Sequence, residues 1–292
     1  ATSSTIGAII PPSMTMIVYG ALASVSVGGL FLAGIIPGIL IGLALMSVVY
    51  LHSLSPSRHP ELQKSGQKFS FKRCLRSLVD VWAALVAPLI IITGILGGVF
   101  TATESGVVAC IFAFLVSFFI YRTIKLRDLP QIFVQAAVTT SMVLGIIGIA
   151  SGFGWLLSYL NFNQMILSAI MSTTQDPTAV FLLLVSVMLV LTMFVDSMAV
   201  LIITVPIAVH IGHSVGINDL QLGLALVMAT QIGSTTPPVA VLLFVASSIA
   251  KCPYGETMRY SWSFIAAEVA ALLLVIFFEP LTVAIPSYVF GR

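Results

Sequence analysis

Two short motifs far apart in the chain have the same composition. Ile6–Gly7 is followed by Pro11–Pro12, and Ile232–Gly233 is followed at the same distance by Pro237–Pro238, so both read I-G-x-x-x-P-P. Small hydroxyl residues stand just upstream, Ser3, Ser4 and Thr5 in the first copy and Thr230 in the second. Each copy runs on into an apolar arm ending in Ala-Ser, Ala23–Ser24 and Ala246–Ser247. A proline pair removes two backbone donors and drives the preceding residue away from the helical region. Gly7 or Gly233 then permits a sharp change of direction. Carbonyls upstream lose their helical partners, and in hydrocarbon such a break survives only inside protein or against a polar cavity. Freed carbonyls and Ser or Thr hydroxyls form a hard oxygen cage that suits a small cation such as Na⁺. A half-helix N-terminus facing the break favours an anionic group.

Other ionisable residues offer less. Asp196 interrupts a long apolar run, and an intramembrane carboxylate is a functional candidate by default; the competing role is a cap on the helix beginning at Ser197. Glu104 has the same two readings. Glu268 sits in an apolar run and should face protein, paired in the scaffold rather than catalytic. His52, His59, His210 and His213 do not cluster as ligands. Cys74, Cys110 and Cys252 fit neither metal spacing nor a disulfide framework. No nucleophilic triad, glycine-rich phosphate loop or metal quartet is present, so the chain is expected not to be an enzyme and the basic residues are not a nucleic-acid site.

The elements that must hold these residues belong to a membrane. The 292 residues are 59% hydrophobic and 8% charged, with a mean hydropathy of +1.14, whereas a soluble domain carries roughly 25% charge. An all-α polytopic membrane protein follows, with room for about six to nine crossings and re-entrant arms at about 20 residues each. The opening residues lack both an initiator Met and the basic start of a signal peptide. They read like the middle of an element, which predicts a missing upstream part.

Residues 1–50 are read as the second arm of a first hairpin followed by a spanning helix, softened near Ile36, Pro37 and Gly38. Residues 51–77 form a polar loop with Arg58, Lys64, Lys68, Lys72, Arg73 and Arg76, six of the twelve basic residues. The positive-inside rule places it in the cytoplasm, and Lys68 to Leu78 has the pattern of an interfacial amphipathic helix. Residues 78–160 are spanning and broken helices, turning near Thr101 to Ser105 and expected to unwind at the four glycines between Gly145 and Gly154. Residues 161–178 are an outer loop. Residues 179–261 hold broken helices and a second hairpin, and 262–292 a final span. Loop charge orients the two proline breaks: the arm after the first must run outward, that after the second inward to Lys251. This is the pattern of an inverted-topology repeat with re-entrant hairpins.

The chain resembles the large membrane subunit of a tripartite ATP-independent periplasmic (TRAP) transporter. The likeness rests on STIGAIIPPSMTMIVYG (Ser4 to Gly20), LFLAGIIPG (Leu30 to Gly38), GGVFTATESG (Gly97 to Gly106), FVDSMAVLIITVPI (Phe194 to Ile207) and QIGSTTPPVAVLLFVAS (Gln231 to Ser247). It covers essentially the whole chain, whereas the family subunit is longer at its N-terminus. The resemblance implies an elevator-type secondary transporter in the bacterial inner membrane, coupling inward Na⁺ movement to uptake of an organic acid such as a C4-dicarboxylate or sialic acid. Its partners would be a small membrane subunit of the Q type, separate or fused, and a periplasmic substrate-binding protein. By motif, the sodium-binding residues would be Ser4, Thr5 and Gly7 in the first copy and Gly233, Thr235 and Thr236 in the second. Asp196 and Ser197 would mark an unwound segment facing the second hairpin; Thr101, Thr103 and Glu104 would mark one facing the first. This sequence departs from the family at Ala102, commonly proline, and at Ala240, often glycine. The same breaks could serve a proton-coupled or binding-protein-independent organic anion transporter, using Asp196 or Glu104, or a structural membrane subunit whose partner conducts.

Overall fold

The computed structural model describes residues 2–54 and 70–291, which are helical with no β-strand among them. In chain order the helices are α1 (Ser4–Ile9), α2 (Met14–Ala23), α3 (Val27–Ala33), α4 (Ile35–Ser53), α5 (Phe71–Asp80), α6 (Trp82–Leu96), α7 (Ala102–Leu115), α8 (Leu129–Tyr159), α9 (Phe162–Thr173) and α10 (Pro177–Thr192). They continue with α11 (Ser197–Ser214), α12 (Asp219–Thr235), α13 (Val241–Ala250), α14 (Tyr254–Phe277) and α15 (Pro280–Phe290). Six continuous or interrupted helical stretches are long and apolar enough to cross a membrane: Ser4–Ala23, Val27–Ser53, Ala102–Ile120, Leu126–Leu157, Ser197–Ser214 and Tyr254–Phe277. The first of these is interrupted at Pro11–Pro12 and the second at Gly34.

The chain divides into two compact units, one of Ala1–Val48 with Met142–Arg292 and one of Val49–Ser141. The larger unit is organised around α12. Every residue from Gln221 to Thr230 is buried, as befits a helix enclosed on all sides. It packs against α1, α2, α3, α10, α11, α13, α14 and α15. Small residues make this possible: a Cβ on Gly223 would collide with the ring of Tyr19 from α2, and the Tyr19 hydroxyl donates to the Asp219 carbonyl at 3.2 Å. In the smaller unit, α6 and α7 pack as a helical hairpin. Gly94 permits their approach, since a Cβ there would press on Phe100 and Ser105.

Helix starts follow the polar residues. Ser13, Ser26, Thr101, Asp176, Asp196 and Asn218 each accept a backbone N–H in the first turn of the helix that follows, satisfying donors that have no intrahelical partner.

Four expectations change. The spanning helix expected within residues 1–50 is divided at Gly34, where a Cβ would collide with the Ile9 carbonyl oxygen; Pro37 is tolerated in the first turn of α4. The glycine-rich centre of α8 does not unwind but continues as a helix of 31 residues. Nothing lies within 4 Å of a Cβ built at Gly145, Gly148, Gly152 or Gly154, so no side chain wedges the helix open at these positions, and a continuous helix keeps its polar groups satisfied. The segment 161–178 is mostly the helix α9, leaving Thr174–Asp176 as the connection to α10. The last long helix spans Tyr254–Phe277 rather than starting at 262, and Pro280 opens a separate α15. Within the basic loop, Arg58, His59, Lys64 and Lys68 lie outside the described residues. Lys72, Arg73 and Arg76 lie on α5 beside the exposed Phe71 and Leu75.

Candidate functional site

The first proline motif ends one helix and begins another. Helix α1 stops at Ile9, Ile10 is extended, the Pro11–Pro12 bond is cis, and Ser13 caps α2. The Ser13 hydroxyl donates back to the Ala8 carbonyl and lies 2.9 Å from Thr15 Oγ1. Ser4 and Gly7 are exposed, and a Cβ at Gly7 would meet nothing within 4 Å, so packing does not explain that glycine. Thr5 is fully buried. Its Oγ1 lies 2.7 Å from the Thr2 carbonyl oxygen and 2.7 Å from Glu268 Oε1.

The second motif repeats the arrangement more deeply. Helix α12 ends at Thr235, Thr236 is extended, Pro237–Pro238 is cis, and Ala240 in the left-handed region leads into α13. Gly233, Ser234, Thr235 and Thr236 are all buried. The last four carbonyls of a helix lack intrahelical partners, and here side chains and the turn take up part of the deficit. Thr235 and Thr236 donate their hydroxyls to the Ile232 carbonyl at 2.8 and 2.6 Å. Thr236 N–H donates to the Gly233 carbonyl at 3.0 Å.

Three helix ends meet here. Helix α10 stops at Thr192, and a Cβ on Gly233 would collide with Thr192 Oγ1 and come within 2.7 Å of the Leu189 carbonyl oxygen. Helix α11 starts at Ser197, whose hydroxyl is hydrogen-bonded to that of Ser234. Asp196 is exposed and caps α11, accepting from Met198 N–H at 3.0 Å and Ala199 N–H at 3.2 Å. The structure thus brings Gly233, Ser197 and Asp196 into one neighbourhood with Thr235 and Thr236 next along the chain. Thr192 and Ser234 join them; the first lacked any motif, and the second was visible only as one more hydroxyl beside the prolines.

Thr101, Thr103 and Glu104 lie in the smaller unit. Thr101 and Glu104 form a capping box at the start of α7, with Glu104 Oε2 accepting from Thr101 N–H at 2.8 Å and from its hydroxyl at 2.9 Å. All three residues are exposed. Ala102 occupies the first helical position, where proline is favoured.

Glu268 was expected to face protein, and it does so completely, at 0% exposure. Its partner is Thr5 of the first break, which no spacing rule connects to it. Its Oε2 is buried with no hydrogen-bond partner among the described residues. A carboxyl group on a lipid-facing surface is costly, and burial against protein with a hydroxyl partner avoids that exposure.

The histidines are peripheral. His213 Nε2 pairs with Asp219 Oδ1 at 2.6 Å, both exposed, and His210 Nε2 lies 3.5 Å from Gln164 Nε2. Among the described residues no group of three or more His, Cys, Asp or Glu side chains comes together. The donors gathered at the two breaks are hydroxyl, carbonyl and carboxylate oxygens, a set that fits a hard cation such as Na⁺.

The sequence matches the family described as "Tripartite ATP-independent periplasmic transporter, DctM component" over residues 1–281. It is 32% identical to the C4-dicarboxylate TRAP transporter large permease protein DctM of Pseudomonas aeruginosa over 286 residues, covering 98% of this chain and 66% of that protein. It is 31% identical to the sialic acid TRAP transporter large permease protein SiaM of Vibrio cholerae over 291 residues, covering 100% of this chain and 67% of that protein. It is also 31% identical to the ectoine TRAP transporter large permease protein TeaC of Halomonas elongata over 290 residues, covering 99% of this chain and 66% of that protein. The chain therefore spans about two thirds of the length of these relatives.

Proposed function

This chain belongs to the DctM family of tripartite ATP-independent periplasmic transporters, and on that premise we propose that it forms the sodium-coupled path for uptake of an organic acid. Its relatives are transporter permeases rather than enzymes, and its apolar helices make it a multi-pass integral membrane protein. The bacterial inner membrane is its expected location. A small Q-type membrane subunit, separate or fused, and a periplasmic binding protein complete the system.

One observation carries the reading. Two widely separated segments of identical I-G-x-x-x-P-P pattern each end a helix, pass through an extended residue and a proline pair, and start a second helix. Hydroxyls crowd both breaks. The second gathers Ser197, Ser234, Thr235 and Thr236 in largely buried surroundings, where a dehydrated Na⁺ finds oxygen ligands. In this reading Ser4, Thr5 and Gly7 serve one ion and Gly233, Thr235 and Thr236 another, while Asp196, Ser197, Thr101, Thr103 and Glu104 border the substrate or ion region. Opposite orientation of the two breaks makes an inverted repeat, and movement of the hairpin-bearing part past a fixed scaffold makes an elevator.

The substrate follows from relatives that handle C4-dicarboxylate, sialic acid and ectoine, and an organic acid is the class proposed here. Helices α1, α2, α10, α11, α12 and α13 carry no Lys or Arg, so an anion would be held by helix termini, backbone and hydroxyls.

The test is uptake of labelled organic acids by the full-length permease in proteoliposomes, with its small subunit and binding protein. Uptake should need an inward Na⁺ gradient and the binding protein, and should fall at least roughly tenfold in Thr236→Val. Uptake that follows a proton gradient, or that proceeds without the binding protein, rejects this mechanism.

A further inference from the structure

Glu268 projects from the middle of a membrane helix into the back of the first break. It is wholly buried, as is Thr5, which it meets at 2.7 Å. With the Glu268 side chain ionised, the oxygens there outnumber the hydrogens available to them. A threonine hydroxyl carries one hydrogen, yet Thr5 Oγ1 lies 2.7 Å from both the Thr2 carbonyl oxygen and Glu268 Oε1, and it can donate to only one of these acceptors. Glu268 Oε2 is buried without any partner among the described residues.

Among the described residues, no Lys or Arg side chain stands on α1, α10, α12 or α13, the helices around Glu268. Helices α10, α12 and α13 pack against α14, and α1 reaches it through Thr5. Helices α1, α10 and α13 carry no ionisable residue, and α12 carries only Asp219, in its first turn. On α14 itself the charged neighbours are Glu256 and Arg259, and Arg259 precedes Glu268 by nine positions, about 13 Å along a helix. Buried charges are paired or bind a cation.

We propose that Glu268 is the anionic ligand of a monovalent-cation site at the first break, shared with Thr5 Oγ1 and the Thr2 carbonyl oxygen. The proposal rests on the sodium-coupled reading and adds to it a residue that lies in neither repeated motif. One positive charge neutralises the carboxylate; a divalent ion would leave a net charge in an apolar interior. The donors are all oxygens, which matches Na⁺. Because α14 supplies the carboxylate and α1 the hydroxyl, the ion ties the first break to the helix beside α12 and α13.

The experiment is equilibrium binding of radiolabelled Na⁺ to the purified full-length permease with its small subunit, at constant ionic strength with choline as the replacement. Thermal unfolding against Na⁺ concentration gives a second readout, since a bound ion raises the midpoint. Glu268→Gln, which keeps the shape and removes the charge, should either lose one ion from the stoichiometry or weaken its affinity at least roughly tenfold. Glu268→Asp should retain more of that affinity than Gln does. Thr236→Val should remove a different ion and leave this one bound. If the Gln chain does not fold, Thr5→Ala, which keeps the carboxylate and removes one donor, must weaken the same ion.

Unchanged stoichiometry and affinity in Glu268→Gln overturns the proposal and makes Glu268 a neutral acid bonded to Thr5. If wild-type uptake still needs the Na⁺ gradient, the transport reading survives that result. A wild-type protein that neither binds Na⁺ nor responds to its gradient overturns both.

Discussion

At Ala240 the backbone stands at φ 45° and ψ 57° with the side chain buried. A Cβ in the left-handed region is disfavoured, and a β-branched one much more so. A glycine after the Pro-Pro-Val sequence would relieve that steric cost, because this residue turns the chain from the break into α13. Ala240→Gly should keep the unfolding midpoint close to wild type. Ala240→Val should destabilise by about 2 kcal/mol or more, read as a lowered midpoint in detergent. Equal midpoints for the two variants would contradict the left-handed geometry. The residue scale was partly legible in sequence. Proline pairs, hydroxyls and Asp196 announce themselves by type; the Ser197–Ser234 bond and the Thr5–Glu268 pair do not, because each joins residues from separate helices.

Between elements, the contact that matters most for the second break is the end of α10 against the end of α12. Gly233 is a packing glycine there, with Thr192 Oγ1 and the Leu189 carbonyl oxygen occupying the space a Cβ would need. Gly7, its counterpart in the first motif, faces open space. The two glycines share a motif but not a physical requirement. Gly233→Ala should lower stability by about 1–3 kcal/mol and reduce Na⁺ affinity at the second break, whereas Gly7→Ala should cost less in stability. Removing the threonine side chain in Gly233→Ala/Thr192→Ala should restore only part of the loss, because the Leu189 carbonyl is backbone and stays in place. Thermal unfolding of the four proteins checks this, and full rescue by the double variant would refute it. Periodicity and glycine content could not anticipate that α8 remains continuous, since whether a glycine-rich stretch opens depends on what packs beside it.

For the molecule as a whole, charge distribution makes a topological prediction. Once the native Cys74, Cys110 and Cys252 are replaced by serine, single cysteines at Arg122 and Lys251 should react with an impermeant maleimide only from the cytoplasmic side. Cysteines at Asp176 and Gly216 should react only from the outside. The helix lengths accommodate this: α8, with 31 residues, is long enough to connect Arg127 to the opposite face, and α9, with 12, is too short to return by crossing fully. Labelling of Asp176→Cys and Lys251→Cys from the same side would remove the basis for an inverted repeat.

Composition alone determined that this chain lives in a bilayer, because so apolar a sequence has no soluble solution. Spacing of proline, glycine and hydroxyl residues located both helix breaks, because local backbone chemistry forces a break wherever two prolines follow one another. Loop charge suggested their orientation. Tertiary structure decided which residues share a site. It enclosed α12 on all sides, set Thr192 against Gly233, and carried Glu268 from near the end of the chain to Thr5 near its start. Such meetings depend on how helices pack in three dimensions, and a pattern of residues along one helix holds no information about the atom that faces it from another.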